Sequence, residues 1–145
     1  FEDDSTRLVV GYGLFDSETA QNALQAFAVS IKGFETPRQL LTDNGSHFCN
    51  THNKHDLKHA FHGAVTRAGV QHIFTRPSHP QCNGKLEKLN DTIKKLYRYY
   101  DGNLAHAVKM YNEKCLHSSL EWRSPLEVWH AKITKGLKYE KPIKS

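Results

Sequence analysis

Two carboxylates stand where an acid can do chemistry. Asp43 closes the apolar run Leu40-Leu41-Thr42 and is followed by Asn44-Gly45, a pair that supplies the unusual backbone angles of a tight turn. An acid at a strand end points into the cleft at the sheet edge, where open α/β folds keep their chemistry. The same residue types close turns with their own side chains, so Asp43 also reads as a plain turn-former. Glu87 lies near the start of a helix predicted from Lys85. Leu86, Leu89, Ile93, Leu96 and Tyr100 form its apolar face, while Glu87, Asp91, Lys94 and Arg98, spaced four, three and four apart, line another. That second face begins with a carboxylate and continues with cations. Complementation of the helix dipole is the plainer reading of Glu87.

The elements that must carry these residues follow from periodicity. Residues 8–15 are rich in β-formers and predict a strand, weakened by two glycines. Asp16-Ser17-Glu18 offers helix-start chemistry. Ala20, Ala23, Leu24, Phe27, Ala28 and Ile31 follow at helical spacing, with Gly33 as the stop. A strand at residues 40–42 leads into the Asp43 turn. Leu57, Ala60, Phe61, Ala64, Val65 and Ala68 mark a second helix ended by Gly69, and residues 70–74 form a short strand. Residues 76–84 read as a loop stiffened by Pro77 and Pro80 and loosened by Asn83-Gly84. After the helix from Lys85 and a break at Asp101-Gly102-Asn103, Leu104, Ala107, Val108, Tyr111 and Cys115 make another stripe. Ser124-Pro125-Leu126-Glu127 is a capping box that opens a last helix. Residues 134–145 carry four lysines, too few apolar groups to pack, and read as a flexible basic tail. Strands alternating with helices indicate α/β layering.

At 145 residues the chain fits one domain with its own core. Charged residues at 24% and apolar ones at 38% exclude a disordered chain, and no apolar run reaches the length of a membrane span. Three widely spaced cysteines, Cys49, Cys82 and Cys115, predict free thiols in a reducing compartment, hence a cytoplasmic protein. The net charge of +5 is uneven: residues 1–75 carry six Lys/Arg against eight Asp/Glu, and residues 76–145 fourteen against seven. A basic second half suits a polyanion such as nucleic acid, although a merely soluble surface has the same composition.

In combination the residue types are more specific. Asp43-Asn44-Gly45-x-x-Phe48 is followed by Pro80-x-x-Asn83-Gly84-x-x-Glu87-x-x-Asn90, then by Tyr111-Asn112, His117-Ser118-Ser119-Leu120 and Pro125. In that order they resemble the catalytic core of the retroviral-integrase superfamily of DDE transposases, nearest the bacterial insertion-sequence type, over residues 1–133. The resemblance implies an RNase-H-like α/β fold, three layers with a small mixed sheet flanked by helices. It implies a triad of two aspartates and a glutamate holding two Mg²⁺ or Mn²⁺ ions for phosphodiester hydrolysis and DNA strand transfer. On this match Asp43 is the second catalytic aspartate and Glu87 the glutamate, both metal ligands. Two hard cations about 4 Å apart stabilise the attacking and leaving oxygens of an in-line displacement, which requires oxygen donors from different elements to converge.

The departures from the family pattern carry their own expectations. The family's first aspartate sits on a first strand upstream of the pattern that Phe1 begins. Asp3 and Asp4 match an acidic pair that does not usually bind metal; substitution of either for the family's first aspartate is the alternative reading. The first strand and its ligand are therefore expected to be absent here, and the stretch alone to bind metal poorly and not to cut DNA. The 43 residues between Asp43 and Glu87 exceed the usual spacing by roughly two helical turns. The extra length is expected at residues 50–62. There His55, His59 and His62 would share one helical face after Cys49-x-x-His52, either as a zinc site or as a polar solvent face. Cys115 stands where the family commonly has an arginine.

DNA, as transposon ends and target, is the implied partner. The implied contacts are the active-site loop residues Asn83 and Gly84, with Lys85, Lys88, Lys94, Lys95 and Arg98 around the Glu87 helix. His79 and Gln81 are further loop candidates. A homo-oligomer is expected, with no membrane partner and no small-molecule substrate. Two other readings stay open: a non-catalytic DNA-binding or oligomerisation relic of a transposase, and a stand-alone RNase-H-like nuclease.

Overall fold

The structure, a computed structural model, describes residues 1–75 and 80–135, with residues 80–83 described by their backbone alone. The predicted tail beyond Lys135, the first four residues of the predicted loop (76–79, including His79), and the side chains of Gln81, Cys82 and Asn83 lie outside the described residues. The chain divides into two compact units.

In the first unit, which takes Phe1 and residues 11–75, helix α1 spans Ala20–Gly33 and is capped by Thr19, whose Oγ1 accepts from Asn22 N at 3.2 Å. Strand β1, Gln39–Thr42, pairs in parallel with β2, Gln71–Phe74, Thr42 lying opposite Phe74. The ladder continues past both ends, through Gln71 N to Arg38 O at 2.9 Å and Thr75 N to Thr42 O at 2.8 Å. Parallel strands need a crossover, and helix α2, Ala60–Arg67, is that connection. It ends at Gly69, whose φ of +78° is left-handed backbone that favours glycine. Phe27, Phe61, Val65 and Val70 form the buried core, with Ala23, Leu24, Ile31, Leu40 and Phe48 packed against it. Phe61 is fully buried at its centre, its ring 6.1 Å from Phe27 and 5.1 Å from Phe48.

The second unit takes Glu2–Val10 and residues 80–135. Helix α3, Pro80–Tyr99, packs on α4, Leu104–Lys114, and α4 packs on α5, Pro125–Thr134. Leu89 is buried on α3 and Ala107, Val108 and Tyr111 on α4. Asn103 caps α4 by accepting from His106 N at 2.9 Å. The capping box at Ser124 and Glu127 is formed in both directions, with Pro125 in the first turn of α5.

Four expectations are corrected. Residues 8–15 are not a strand; they contribute only an isolated antiparallel bridge between Val9 and Glu2, and Leu14 is 72% exposed. The reason is that Val9 spends its main-chain groups on a side chain: its N–H donates to Asn112 Oδ1 at 2.9 Å and its carbonyl accepts from Asn112 Nδ2 at 3.0 Å. The regular sheet among the described residues is accordingly two parallel strands and not a mixed one. Helix α3 starts at Pro80, so positions 83 and 84 are helical instead of a loop, consistent with the preference of proline for the first helical position. Leu86, placed on its apolar face, is 49% exposed.

The fourth correction concerns residues 50–59, which are turns and not helix. Asn50, Asn53 and Asp56 each accept from the backbone two residues on, at His52 N (3.0 Å), His55 N (3.3 Å) and Lys58 N (3.0 Å). Such local bonds compete with the helix ladder. Helix α2 therefore begins only after His59, its N-cap, and Leu57 is left exposed. His55, His59 and His62 do not share a helical face, and His62 is buried instead of lying on a solvent face.

Candidate metal and nucleic-acid site

Asp43 follows the last residue of β1 and is exposed. Its Oδ1 accepts from Gly45 N at 2.8 Å, which fixes the carboxylate against its own turn. Asn44 Nδ2 donates to Thr75 O at 3.0 Å and so ties the turn to the end of β2. Phe48 N and Cys49 N both reach back to Gly45 O, and the Phe48 ring anchors the turn on Phe61. Gly45 does not have positive φ, contrary to the expectation of unusual turn angles. What it leaves is space: a Cβ there would lie 2.9 Å from Asp43 Oδ1 and 2.6 Å from the His47 ring, so one of these side chains would have to shift. The Asp-Asn-Gly-x-x-Phe spacing thus has a local physical account, in which each residue holds or makes room for the carboxylate.

Glu87 is exposed on α3, and Asp91, Lys94 and Arg98 are exposed along with it. Lys88 and Lys95 are exposed as well. Lys85 Nζ lies 3.1 Å from Asp4 Oδ1, a solvent-screened pair worth little to stability. Gly84 sits in the helix with open space around its α-carbon. Asp43 belongs to the first unit and Glu87 to the second. Among the described residues no group of three or more His, Cys, Asp or Glu side chains comes together as a metal site. Asp3 is committed locally, its Oδ2 accepting from Ser5 Oγ, Thr6 N and Thr6 Oγ1 at 2.6–2.9 Å.

Tyr111, Asn112 and His117 turn out to be structural. Asn112 holds Val9 as described, and the Tyr111 and His117 rings meet edge to face at 5.3 Å. Burial, and then the neighbouring Glu2 carboxylate, push the Tyr111 hydroxyl well above its ordinary range. Glu2, its side chain 8% exposed, is itself pushed up to about 7 by burial, with Arg7 at 3.8 Å opposing.

Sequence reasoning missed a buried polar cluster behind Asp43. Thr42, His62 and His72 are all buried, and the two imidazoles face each other. Burial first, then His62, His59 and His55, pull His72 down to about 4. Burial likewise lowers His62, with His55 and His59 adding to the effect and Asp56 opposing it. The one available signal was a histidine in a strand whose neighbours are apolar.

A family model described as integrase core domain matches residues 1–80, and a second model of the same description matches residues 68–125. The chain is 28% identical over 144 residues to "Putative integrase ORF3" of Spiroplasma virus SpV1-C74, covering 86% of this chain and 39% of the relative. It is 31% identical over 137 residues to transposase InsD for insertion element IS2A/D/F/H/I/K of Escherichia coli, covering 86% and 43%. The chain thus spans less than half the length of either relative. Among solved structures it is similar to the catalytic core domain of BIV integrase, with a TM-score of 0.66 at 19% identity over 87% of this chain and 80% of that one. The HTLV-2 integrase catalytic core domain, in complex with magnesium in a trimeric form, gives 0.65 at 21% identity over 88% and 80%. This likeness establishes the fold as the RNase-H-like α/β fold of integrase cores.

Proposed function

The chain belongs to the integrase core domain family, and from that membership we propose that it supplies the catalytic core of a DDE-type transposase or integrase. The reaction is phosphodiester hydrolysis and DNA strand transfer during transposition or integration. Residues 1–133 form this core, and residues 134–145 a basic tail. The observation that carries the reading is Asp43: an exposed acid at the end of a parallel strand, held by Gly45 N–H, inside the stretch that matches the family.

The donor chemistry fits a hard divalent cation, because Asp43 and Glu87 both offer exposed carboxylate oxygens. In this reading each of the two would be a ligand for Mg²⁺ or Mn²⁺. The metal pair, when bound, supplies charge stabilisation to the attacking and leaving oxygens of the phosphodiester. The turn holds Asp43 in one orientation. The cations at Lys88, Lys94, Lys95 and Arg98 neutralise phosphates of the DNA, with Lys85 joining them on release from Asp4. Asn83 and Gly84 act from the first turns of α3, close to the DNA end. The protein acts as a homo-oligomer on transposon ends and target DNA at the nucleoid in the cytoplasm. Among the described residues no helix is long and apolar enough to cross a membrane.

The test is Mn²⁺-dependent nicking of end-bearing DNA by a protein of the relatives' length. Asp43→Asn and Glu87→Gln should each abolish nicking while circular dichroism and thermal unfolding stay unchanged. Retained nicking in either variant refutes the assignment of that residue. Salt-sensitive DNA binding with no nicking in the unmutated protein favours the non-catalytic relic.

A further inference from the structure

Three buried polar side chains stand in a row within the first unit: Thr42, His72 and His62. Thr42 Oγ1 lies 2.9 Å from the Asp43 carbonyl oxygen and 2.9 Å from His72 Nε2. His72 Nδ1 lies 2.9 Å from His62 Nδ1. Proton counting gives this row a direction. A carbonyl only accepts, so the single Thr42 hydroxyl proton goes to Asp43 O. The Thr42 oxygen must then accept from His72, which puts the His72 proton on Nε2. His72 Nδ1 is left as an acceptor, and His62 donates to it from Nδ1. All three contacts are satisfied only by this order in the neutral state.

Two histidines and a threonine are an expensive filling for a core that phenylalanine and valine otherwise supply, since each buried polar atom must find a partner. Their chain ends on the residue that bears the strand-end carboxylate. We propose that His62, His72 and Thr42 are positioning residues for Asp43, a one-way donor chain that clamps the main chain at the β1 end and aims the carboxylate at a divalent cation. The inference rests on the reading of Asp43 as a metal ligand. The surroundings favour the neutral, ordered form. Phe61 and Phe74 wall His72 at ring distances of 5.6 and 4.3 Å. The titratable groups that face the pair are His55 and Asp56 from the turns before α2 and His59 at its cap. Charge on both rings would set two Nδ1–H groups against each other at 2.9 Å, so the pair holds at most one added proton.

The tautomers can be read on the unmutated chain by long-range nitrogen–proton correlation spectra of its histidine side chains. The expected result at neutral pH is His72 protonated on Nε2 and His62 on Nδ1. His72 protonated on Nδ1 overturns the proposal. Mn²⁺ binding, followed by paramagnetic broadening of the Gly45 amide, tests the positioning. Thr42→Val keeps shape and removes the hydroxyl, and should weaken Mn²⁺ binding by about tenfold, the usual scale for support behind a metal ligand. Thr42→Ser should restore it. Equal binding by Thr42→Val and the unmutated chain refutes the clamp, provided Asp43→Asn abolishes the broadening. Broadening that survives Asp43→Asn refutes the metal reading of Asp43 itself, a separate failure.

Discussion

Asn112→Ala should be among the most costly single changes in the second unit, although Asn112 is only half-buried. Its amide replaces a neighbouring strand for Val9: Oδ1 accepts the N–H at 2.9 Å and Nδ2 serves the carbonyl at 3.0 Å. Val9 is 6% exposed, so truncation strands a main-chain donor and a main-chain acceptor where water enters poorly. Each orphaned group costs about 1–3 kcal/mol, which gives about 2–6 kcal/mol for the pair. That is a large part of the ~5–15 kcal/mol that holds a domain of this size, and corresponds to a fall in Tm of about 10 °C. Urea denaturation measures the loss directly, and amide hydrogen exchange at Val9 locates it. Asn112→Asp keeps the acceptor but aims a charge at the Val9 carbonyl, so it should rescue nothing at neutral pH. A loss below about 0.5 kcal/mol in Asn112→Ala, with Val9 as protected as before, would refute the reasoning.

Glu2 and His72 should give pH dependences of opposite sign. Glu2 is raised from 4.5 to about 7 by burial, so the folded state keeps a proton that the unfolded chain has lost; its contribution is full below about 4.5 and falls as pH rises to about 7. Glu2→Gln should therefore raise Tm at pH values above 7 and converge on the unmutated chain in acid; an identical offset at all pH values would contradict this. His72 is lowered from 6.5 to about 4, so its contribution is full above 6.5 and is lost as pH falls towards 4. His72→Gln should flatten that acid limb of the Tm profile. Gly84→Ala should stabilise by about 0.5–1 kcal/mol, because the position is helical and open. A destabilised Gly84→Ala chain would instead mean that the segment works as a loop.

What the sequence made legible is what neighbours along the chain decide. Ser124 and Glu127 announce a helix start because both halves of the capping box lie within one turn. The α1 stripe is visible because Phe27 and its helical neighbours repeat at the helical period. Residues 8–15 mislead because the partner that satisfies Val9 is Asn112, 103 positions away. Residues 50–59 mislead because the apolar spacing of Leu57, Ala60 and Phe61 favours a helix while Asn50, Asn53 and Asp56 bond their own backbone first. At the candidate site the motif around Asp43 is readable, but the role of Gly45 is not, since the demand there is for room beside a carboxylate and not for an angle. The row from His62 to Thr42 is invisible because it runs across the parallel ladder, between residues with no shared period.

The detour between Cys49 and α2 has a further consequence. Asn50, Asn53 and Asp56 answer part of its backbone from within, Asn50 Nδ2 closes on Asp56 Oδ2 at 3.0 Å, and His59 Nε2 ties its end to Ser46 O at 2.9 Å. A connection closed off in this way can grow or shrink without asking anything of strand register, since lengthening a surface loop costs only slowly with its size. The crossover is thus where drift in chain length can accumulate harmlessly, and where a fluorophore or affinity peptide can be spliced in with the sheet left untouched.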